Sequence, residues 1–245
     1  MSERIIYGAN TVAHALRHQL AAVLRVYVQQ GKESRSRHEQ LLGSLVDTPV
    51  WVEKVSADDL HALTGTNKHQ GIAVALVGNE PMDEHAALEY VAGLTNPLIL
   101  ILDSVEDPRN LGACLRTADG AGVDLVVTPR SRGAGLTPVA SKVASGAAEV
   151  QMCARVANLA RFIKGLRDLN VWVIGTDERA PTMIFDAGLT GAIALVMGGE
   201  GKGLRRLTRE LCDTLVHLPM QGAVESLNVS VAAGICLYEC VRQRR

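Results

Sequence analysis

Continuous apolar runs alternate with helical patterns in the C-terminal part of the chain. The runs, rich in Val, Ile and Leu, lie at 98–102, 123–127, 171–174, 193–197 and 214–218. Runs of this length without polar alternation are typical of parallel strands that are covered on both faces. Helical periodicity separates them, at about 110–121, 138–147, 156–169, 203–211 and 228–242. The pattern predicts a doubly wound α/β domain over residues 98–245.

The N-terminal part alternates more quickly between strand and helix patterns. Strand-like runs lie at 4–7, 23–28, 50–55 and 71–77, and helical patterns at 10–20, 38–46 and 58–64. This predicts a small α/β domain over residues 1–76. The polar, turn-rich stretch that follows, with a short helix at 84–92, predicts a linker over residues 77–97.

Composition narrows the class of protein. The chain has 245 residues, 47% hydrophobic and 21% charged, as in ordinary soluble globular proteins. Its five cysteines have no CxxC spacing. We therefore expect neither a disulfide framework nor a metal site, and a cytoplasmic location fits. We also expect no membrane span and no signal peptide. The formal net charge of −1 neither requires nor excludes RNA, and 3% aromatic residues disfavour a broad base-stacking platform.

Two loops that follow predicted strands carry polar side chains or glycines. The loop after 98–102 contains Asn110 and Arg116. The simpler interpretation there is a helix N-cap and a solvated surface arginine. The loop after 193–197 reads Gly198-Gly199-Glu200-Gly201-Lys202-Gly203. It matches neither common glycine-rich phosphate-binding pattern, and its carboxylate would repel a phosphate. A tight turn with a helix-capping glutamate is the alternative for this loop.

A third loop, at 218–231, is apolar yet contains Ser226, Asn228 and Ser230. Burying an unpaired hydroxyl or amide costs roughly 1–3 kcal/mol, so we expect a buried segment that uses these groups. The simpler alternative makes Ser226 the N-cap of a helix that runs to about residue 240. Ligands bind at the carboxyl ends of strands in open α/β sheets, so one pocket is expected to gather all three loops. A Ser-His-Asp hydrolase is poorly supported, because these loops contain no histidine.

These loops resemble the three motifs of the SpoU/TrmH family of SPOUT RNA methyltransferases. The resemblance rests on Asn110-Leu111-Gly112 with Arg116, on Met197-Gly198-Gly199-Glu200-Gly201, and on Leu218-Pro219-Met220 with Ser226-Leu227-Asn228-Val229-Ser230. It covers residues 98–245, in order and at family spacing. The N-terminal part, with His69-Gln70-Gly71-Ile72, resembles the ribosomal-L30-like substrate-binding domain that is fused to many members.

The resemblance implies a fold, an assembly and a cofactor. The implied fold is a C-terminal SPOUT domain whose parallel sheet contains a deep trefoil knot, beside a small N-terminal α/β domain. The implied assembly is a homodimer in which the knotted regions pack together. S-adenosyl-L-methionine is the implied cofactor, held bent, largely by main-chain groups. The implied cofactor-binding residues are Thr176, Gly198, Gly199, Gly201, Leu218, Met220, Ser226 and Leu227.

The resemblance also implies catalytic roles for Asn110, Arg116, Glu200, Ser226 and Asn228. The family gives Arg116 the central role, often as the base. A guanidinium with a pKa above about 12 is rarely neutral, so Arg116 can instead bind a phosphate and stabilise a developing alkoxide. Asn110 and Asn228 would orient the hydroxyl and Arg116, Glu200 would hold Arg116 or the substrate, and Ser226 would bind the target nucleotide.

The implied reaction is 2′-O-methylation of a guanosine ribose in 23S rRNA, in the peptidyl-transferase region, as a step of ribosome biogenesis. The N-terminal domain would recognise the RNA, and its candidate contacts are Arg25, Lys32, Arg35, Arg37, Lys54, Lys68, His69 and Gln70. Each of them alone is more often a solvated side chain.

Three rival functions compete with this one. The first is the same chemistry on tRNA. The second is a non-catalytic RNA-binding or resistance protein on this fold, and the intact set of motif residues argues against it. The third is a dinucleotide oxidoreductase, which lacks support because the first βα turn has no glycine fingerprint.

Overall fold

A computed structural model describes residues 3–18, 20–31, 36–43, 45–46, 48–77, 80–201 and 203–245. The chain forms two compact units. Unit 1 consists of Met1–Glu80 and Leu136–Val150, and unit 2 consists of Pro81–Gly135 and Gln151–Arg245. This division differs from the predicted one, because residues 136–150 lie in unit 1 and residues 81–97 lie in unit 2. The functional domain boundaries at 76 and 98 stay predictions.

Unit 1 is an α/β unit built on a four-stranded sheet. Numbered along the whole chain, its strands in spatial order are β1 (Glu3–Tyr7), β4 (Ile72–Val77), β2 (Val23–Gln29) and β3 (Trp51–Val55). β4 pairs antiparallel with β1 and β2, whereas β3 pairs parallel with β2 at the edge of the sheet. The strands carry apolar residues on both faces of the sheet, so a separate hydrophobic core forms on each face.

Helices cover the two faces of this sheet unequally. The helices of residues 3–64 are α1 (Ala9–His18), α2 (Ser36–Gly43) and α3 (Ala57–Thr64). One core contains Val12 of α1, Leu41 of α2 and Val26 of β2. The other core contains Leu60 of α3 with Tyr27 and contains fewer residues. The single short helix α3 therefore covers one face, and two helices cover the other.

Unit 1 also contains the two short helices α6 (Pro138–Ala144) and α7 (Ala147–Val150). The sequence predicted one helix over 138–147, but Ser145 and Gly146 have φ of +54° and +100° and end α6. Arg4 of β1 attaches both helices, because its Nη2 donates to Ser141 Oγ at 2.7 Å and to Glu149 Oε1 at 2.9 Å. A buried ion pair thus fixes this segment to the edge strand β1.

Unit 2 is built on seven parallel strands. They are β5 (Leu98–Asp103), β6 (Leu125–Pro129), β7 (Cys153–Val156), β8 (Trp172–Thr176), β9 (Thr182–Met183), β10 (Ile193–Gly198) and β11 (Thr214–His217). Their order across the sheet is β7-β6-β5-β10-β8-β11-β9. The predicted α/β class with a parallel sheet is therefore confirmed. The edge strands β7 and β9 were missed, because they have only four and two residues.

Helices pack on both faces of the seven-stranded sheet. They are α4 (Glu84–Ala92), α5 (Pro108–Gly120), α8 (Leu159–Asp168), α9 (Arg206–Leu211) and α10 (Val229–Gln243). α4 and α8 bury Phe162 and Ile163 against Ile99 and Ile101 of β5. The alternate β5 residue Leu100 is also fully buried, and α10 packs against α5 and β10. Among the described residues, no helix is long and apolar enough to cross a membrane.

Candidate active site

The four loops that carry the predicted site residues follow the carboxyl ends of four neighbouring strands of the parallel sheet. β5, β10, β8 and β11 are neighbours in that order, and each pair is parallel. Their carboxyl ends therefore face the same side, and the loops that follow them are next to one another. This topology brings the first turn of α5, the glycine-rich loop and the start of α10 together.

The first turn of α5 directs Asn110 towards the glycine-rich loop. Asp107 is the N-cap, with its carboxylate accepting from the Arg109 backbone N–H at 2.8 Å, and Pro108 begins the helix. The interpretation of Asn110 as the cap was wrong, because the helix begins two residues earlier. Freed from capping, the Asn110 side chain donates through Nδ2 to Glu200 Oε1 at 2.6 Å.

The start of α10 completes a cluster of two amides and one carboxylate. Asn228 Nδ2 donates to Glu200 Oε1 at 2.9 Å and to Asn110 Oδ1 at 3.1 Å. The same asparagine is the N-cap of α10, because its Oδ1 accepts from the Ser230 backbone N–H at 2.9 Å and from Ser230 Oγ at 2.6 Å. Asn228 thus uses its carbonyl for the helix and its amide for the cluster. The two amides and Glu200 join three loops that are far apart in sequence.

The glycine-rich loop has a structural reason for two of its glycines. A Cβ on Gly199 would clash with the Ser104 carbonyl oxygen, and a Cβ on Gly198 would clash with the backbone of Gly203. Gly201 differs, since its φ is +74° and the space around its Cα is open. Two glycines therefore permit close backbone approach, and the third permits the turn. Glu200 stands between them on a tightly held loop.

A buried ion pair under this loop was missed by sequence reasoning. Asp103, the last residue of β5, is fully buried and accepts from Arg205 Nε at 2.5 Å and from the Arg205 backbone N–H at 3.1 Å. It fixes the exit of the glycine-rich loop to the strand that leads to Asn110. A charged residue at the end of the apolar run Leu98–Asp103 was the available sequence signal.

The other two predicted catalytic residues are Arg116 and Ser226. Arg116 is exposed on α5, six residues after Asn110 and so about 120° away around the helix. Ser226 is exposed in the loop before α10 and does not cap that helix, so the interpretation of Ser226 as N-cap was wrong. The catalytic roles of both residues stay predictions.

The expectation that the segment before α10 is buried was wrong for the single chain. Residues 221–228 are all exposed, including Val224 at 63% and Leu227 at 36%. Burial begins only at Val229, where α10 starts to pack against α5. The physical reason is that this loop extends beyond the ends of the strands. Among the described residues of the single chain, no helix, strand or loop covers it there. Exposed apolar residues beside the cluster are therefore available for a ligand or for a second chain.

The predicted cofactor-binding residues lie around the same sheet edge. Thr176, at the end of β8, donates through Oγ1 to the Val196 carbonyl oxygen at 3.2 Å. Gly198 ends β10, while Gly199 and Gly201 lie in the loop after it. Leu218 and Met220 are partly buried after β11, and Leu227 precedes α10. Apolar side chains and glycine backbone thus border the cluster, but the individual cofactor contacts stay predictions.

A buried thiol on α5 does not supply a nucleophile. Cys114 lies on the same helix as Asn110 and has no solvent exposure. Burial, and then the negative charge of Glu200, raise the pKa of Cys114 to about 12. The thiol is therefore protonated at neutral pH, and the chemistry of this site belongs to the amides, the carboxylate and the nearby cations.

The predicted RNA contacts in unit 1 have different surroundings. Arg25 is half exposed and donates through Nη1 to Glu53 Oε2 at 2.7 Å. Lys54 and Lys68 are exposed. His69 is buried, and its Nδ1 accepts from the Gly71 backbone N–H at 3.1 Å.

The remaining predicted RNA contacts either hydrogen-bond within unit 1 or lie outside the described part of the chain. Gln70 Oε1 accepts from the backbone N–H of Ala9 at the start of α1, at 2.9 Å. Lys32 and Arg35 lie outside the described residues, as does the side chain of Arg37. The RNA-contact assignments stay predictions, and the structural roles of His69 and Gln70 explain why both residues occur together before β4.

Comparison with known proteins gives consistent matches. Residues 97–238 match the SpoU rRNA Methylase family, and residues 5–82 match the RNA 2′-O ribose methyltransferase substrate-binding family. The chain is 48% identical over 245 residues to the 23S rRNA (guanosine-2′-O-)-methyltransferase RlmB of Haemophilus ducreyi, which covers 100% of this chain and 99% of that protein.

Two solved structures have a similar fold over nearly the whole chain. One is the SpoU methyltransferase AviRb from Streptomyces viridochromogenes in complex with AdoMet, with a TM-score of 0.80, 22% identity, and coverage of 98% of this chain and 90% of that one. The other is an RNA 2′-O ribose methyltransferase, with a TM-score of 0.78, 27% identity, and coverage of 98% and 88%.

Proposed function

The chain belongs to the SpoU rRNA methylase family, and from this premise we propose that it methylates the 2′-hydroxyl of a guanosine ribose in 23S rRNA. The enzyme is an RNA 2′-O-methyltransferase that uses S-adenosyl-L-methionine. The observation that carries the proposal is the cluster of Asn110, Glu200 and Asn228, which joins three loops at the carboxyl edge of the sheet.

The reaction requires placement of a weak nucleophile. When bound, S-adenosyl-L-methionine supplies a methyl group on a positively charged sulfur. A ribose hydroxyl attacks poorly unless it is oriented in line with that methyl group and the charge that develops on its oxygen is stabilised. The side chains at the sheet edge therefore have to orient the 2′-oxygen and stabilise its negative charge.

The cluster fits the orienting role. Glu200 Oε1 accepts from both amide nitrogens, so the carboxylate fixes which face each asparagine presents. Asn110 uses one of its two Nδ2 hydrogens in the cluster, so the other can be directed at a ligand without loss of side-chain freedom on binding. Asn228 uses both Nδ2 hydrogens and both Oδ1 lone pairs within the protein. We assign Asn110 to orienting the ribose, and Asn228 and Glu200 to holding Asn110 in place.

Arg116 fits the electrostatic role better than that of a base. A guanidinium remains charged at every accessible pH, so its capacity is to donate hydrogen bonds to a phosphate and to a developing alkoxide. The exposed position of Arg116 on α5 leaves it accessible to RNA. Ser226, in the exposed loop before α10, is assigned to the target nucleotide.

The loops after β8, β10 and β11 are assigned to the cofactor. Their chemistry fits a ligand with an amino-acid end and an adenosine end. Glycine backbone at Gly198, Gly199 and Gly201 provides main-chain donors and acceptors, and Leu218, Met220 and Leu227 provide apolar surface. Supporting this, a SpoU methyltransferase of similar fold was solved with AdoMet.

A knotted domain and a homodimer complete the proposal. The proposed knot rests on the membership of the chain in the SpoU rRNA methylase family. The dimer is supported by Val231, Ile235 and Tyr238, which are exposed on one face of α10 at helical spacing. A second chain at that face would cover the loop before α10 as well.

We further propose that unit 1 is the ribosomal-L30-like part that selects the RNA. Its match to the RNA 2′-O ribose methyltransferase substrate-binding family supports this role. The peptidyl-transferase region as the target, a place in ribosome biogenesis and a cytoplasmic location are part of the same proposal and rest on the family resemblance.

Mass-spectrometric mapping of methylated nucleotides tests the proposed function. Purified enzyme and cofactor are incubated in parallel with unmodified 23S rRNA and with unmodified tRNA. The expected product is one additional methyl group on the ribose of a guanosine in 23S rRNA and none in tRNA. Methylation of tRNA alone, or of a base, would overturn the proposal.

A further inference from the structure

The helix α3 leaves one end of its face of the unit 1 sheet uncovered. Val55 at the end of β3 is buried with Leu60 of α3. Because side chains alternate along a strand, Trp51 and Glu53 lie on the same face as Val55. Trp51 is 67% exposed, the most exposed aromatic ring among the described residues. The carboxyl end of β3 is thus covered at Val55, whereas its amino end is exposed at Trp51.

A groove lies between this open sheet surface and α3. Its volume is about 700 Å³, and its lining includes Arg25, Tyr27, Gln30, Glu53 and Lys54. Trp51 is adjacent, because it is the direct cross-strand partner of Arg25 in the β2–β3 ladder. A cavity of several hundred Å³ is the size class that holds a small ligand or one nucleotide.

The acidic residues of the groove are already engaged. Glu53 accepts from Arg25 Nη1 at 2.7 Å. Asp59 completes the capping box of α3, because its Oδ2 accepts from the Ser56 backbone N–H at 3.2 Å. Carboxylates inside the groove disfavour a phosphate there, whereas Lys54 at the rim can hold one. The groove therefore suits a base, with the phosphate outside it.

We propose that Trp51, with Arg25 and the adjoining groove, stacks and holds an unpaired nucleotide of the RNA substrate. The proposal rests on the proposed function, and it assigns unit 1 a single-nucleotide site rather than a diffuse basic surface. Single-stranded bases are recognised by stacking on aromatic rings and on arginine planes, and by side-chain amides at the base edge. Trp51, Arg25 and Gln30 supply these three contacts.

The chain provides a matched internal control. It contains two tryptophans, and Trp172 in unit 2 is also exposed, at 52%. Trp172 lies at the amino end of β8, at the opposite end of that strand from the proposed active site. Both rings are largely in solvent, so replacing either leaves the folded core intact. A difference between the two substitutions therefore reports on binding.

Fluorescence and affinity measurements on the full-length protein test the site. In Trp172→Phe, Trp51 is the only tryptophan, and titration with an unstructured single-stranded RNA oligonucleotide is expected to quench its emission. In Trp51→Phe, the remaining Trp172 emission is expected to change little. Trp51→Ala is expected to weaken oligonucleotide binding at least about five-fold, Trp51→Phe much less, and Trp172→Ala not at all.

The outcomes separate this inference from the proposed function. Methylation of 23S rRNA by the wild-type protein, with unchanged RNA affinity of Trp51→Ala, would overturn the nucleotide site alone. Quenching of Trp51 without any 23S rRNA methylation would support the site and overturn the proposed function. If Trp51→Ala changes the sedimentation coefficient and leaves RNA affinity unchanged, the surface binds a second copy, and the proposal is wrong.

Discussion

The two units of the chain hold their functional residues in different ways. In unit 2, Asn110, Glu200 and Asn228 hydrogen-bond to one another across three loops. Gly198 and Gly199 allow the glycine-rich loop that carries Glu200 to pack closely against neighbouring backbone. In unit 1, Trp51 and Lys54 are exposed, and Arg25 is half exposed and donates to Glu53. If the proposed roles are correct, unit 2 has a preorganised catalytic site and unit 1 an adaptable RNA-binding surface. Variants of unit 2 should therefore lose rate, and variants of unit 1 should lose RNA affinity.

The largest expected effect is that of Arg116→Ala. Loss of one cation that stabilises a developing oxyanion is expected to lower kcat by about 10³-fold. Because Arg116 is exposed on α5 and is not among the predicted cofactor-binding residues, calorimetric cofactor affinity should stay within about two-fold. Arg109→Ala, an exposed arginine on the same helix, is the control and should retain most of the rate. Equal loss of cofactor affinity in Arg116→Ala would contradict this assignment.

Asn228→Ala should combine a catalytic loss with a stability loss. It removes the α10 cap, which costs about 1 kcal/mol, and one member of the cluster, which is expected to lower kcat by about 10²-fold. Asn158 is a matched control, because it caps α8 by accepting from the Arg161 backbone N–H at 3.1 Å. Asn158→Ala should lose the same stability and keep its rate. Similar rates for both variants would remove Asn228 from the site.

Gly199→Ala and Gly201→Ala test how the glycine-rich loop is held. The first introduces a Cβ that clashes with the Ser104 carbonyl oxygen, and overpacking of this kind costs about 1–3 kcal/mol or more. The second strains a residue at φ +74° in open space, which costs about 1–2 kcal/mol. Denaturant unfolding and cofactor titration should show the larger loss for Gly199→Ala. The opposite order would contradict the close approach to Ser104.

The smallest expected effects are those of pH on the stability of each unit, and they have opposite signs in the two units. Burial raises the pKa of Glu149 in unit 1 to about 7, against the opposing charge of Arg4. Its stabilising contribution is therefore present below the ordinary pKa of 4.5 and is lost as the pH rises towards 7. Hydrogen bonds from Arg242 and Gln243 lower the pKa of Glu239 in unit 2 to about 2. That contribution is present above 4.5 and is lost as the pH falls towards 2.

Hydrogen exchange between pH 5 and 8 checks this difference, after correction for the intrinsic rate. The opening free energy of β4 in unit 1 should decrease as the pH rises, and that of β10 in unit 2 should remain level. Glu149→Gln should flatten the profile of β4. An unchanged slope in that variant would mean that Glu149 is ionised in the folded protein throughout this range.

The sequence predicted the parts of the fold that long apolar runs encode. The runs at 98–102 and 193–197 became β5 and β10, the central pair of the parallel sheet. Shorter elements were missed because their burial depends on partners elsewhere: β9 has two residues, and α7 is set off by the left-handed Ser145 and Gly146. The loop before α10 was predicted to be buried because it is apolar, but nothing in the described single chain covers it.

The sequence also predicted which loops meet, but not how. Motif spacing placed Asn110, Glu200 and Asn228 in one pocket, and the structure joins these three. It could not assign the caps, because Asp107 and Asn228 compete for that role with Asn110 and Ser226, and only backbone geometry decides. Nor could it show that residues 136–150 lie in unit 1, because that depends on the Arg4–Glu149 ion pair, 145 residues apart in sequence.

The most direct test of the central claim is a single-turnover assay of Glu200→Ala with 23S rRNA, read by mapping ribose methylation. Alanine has no oxygen to accept the hydrogen bonds that Asn110 Nδ2 and Asn228 Nδ2 donate to Glu200 Oε1, so the cluster should lose its orientation. The account predicts a rate at least about 10²-fold below wild type, with RNA and cofactor affinities preserved. Wild-type methylation by this variant would contradict the assignment of the cluster as the active site.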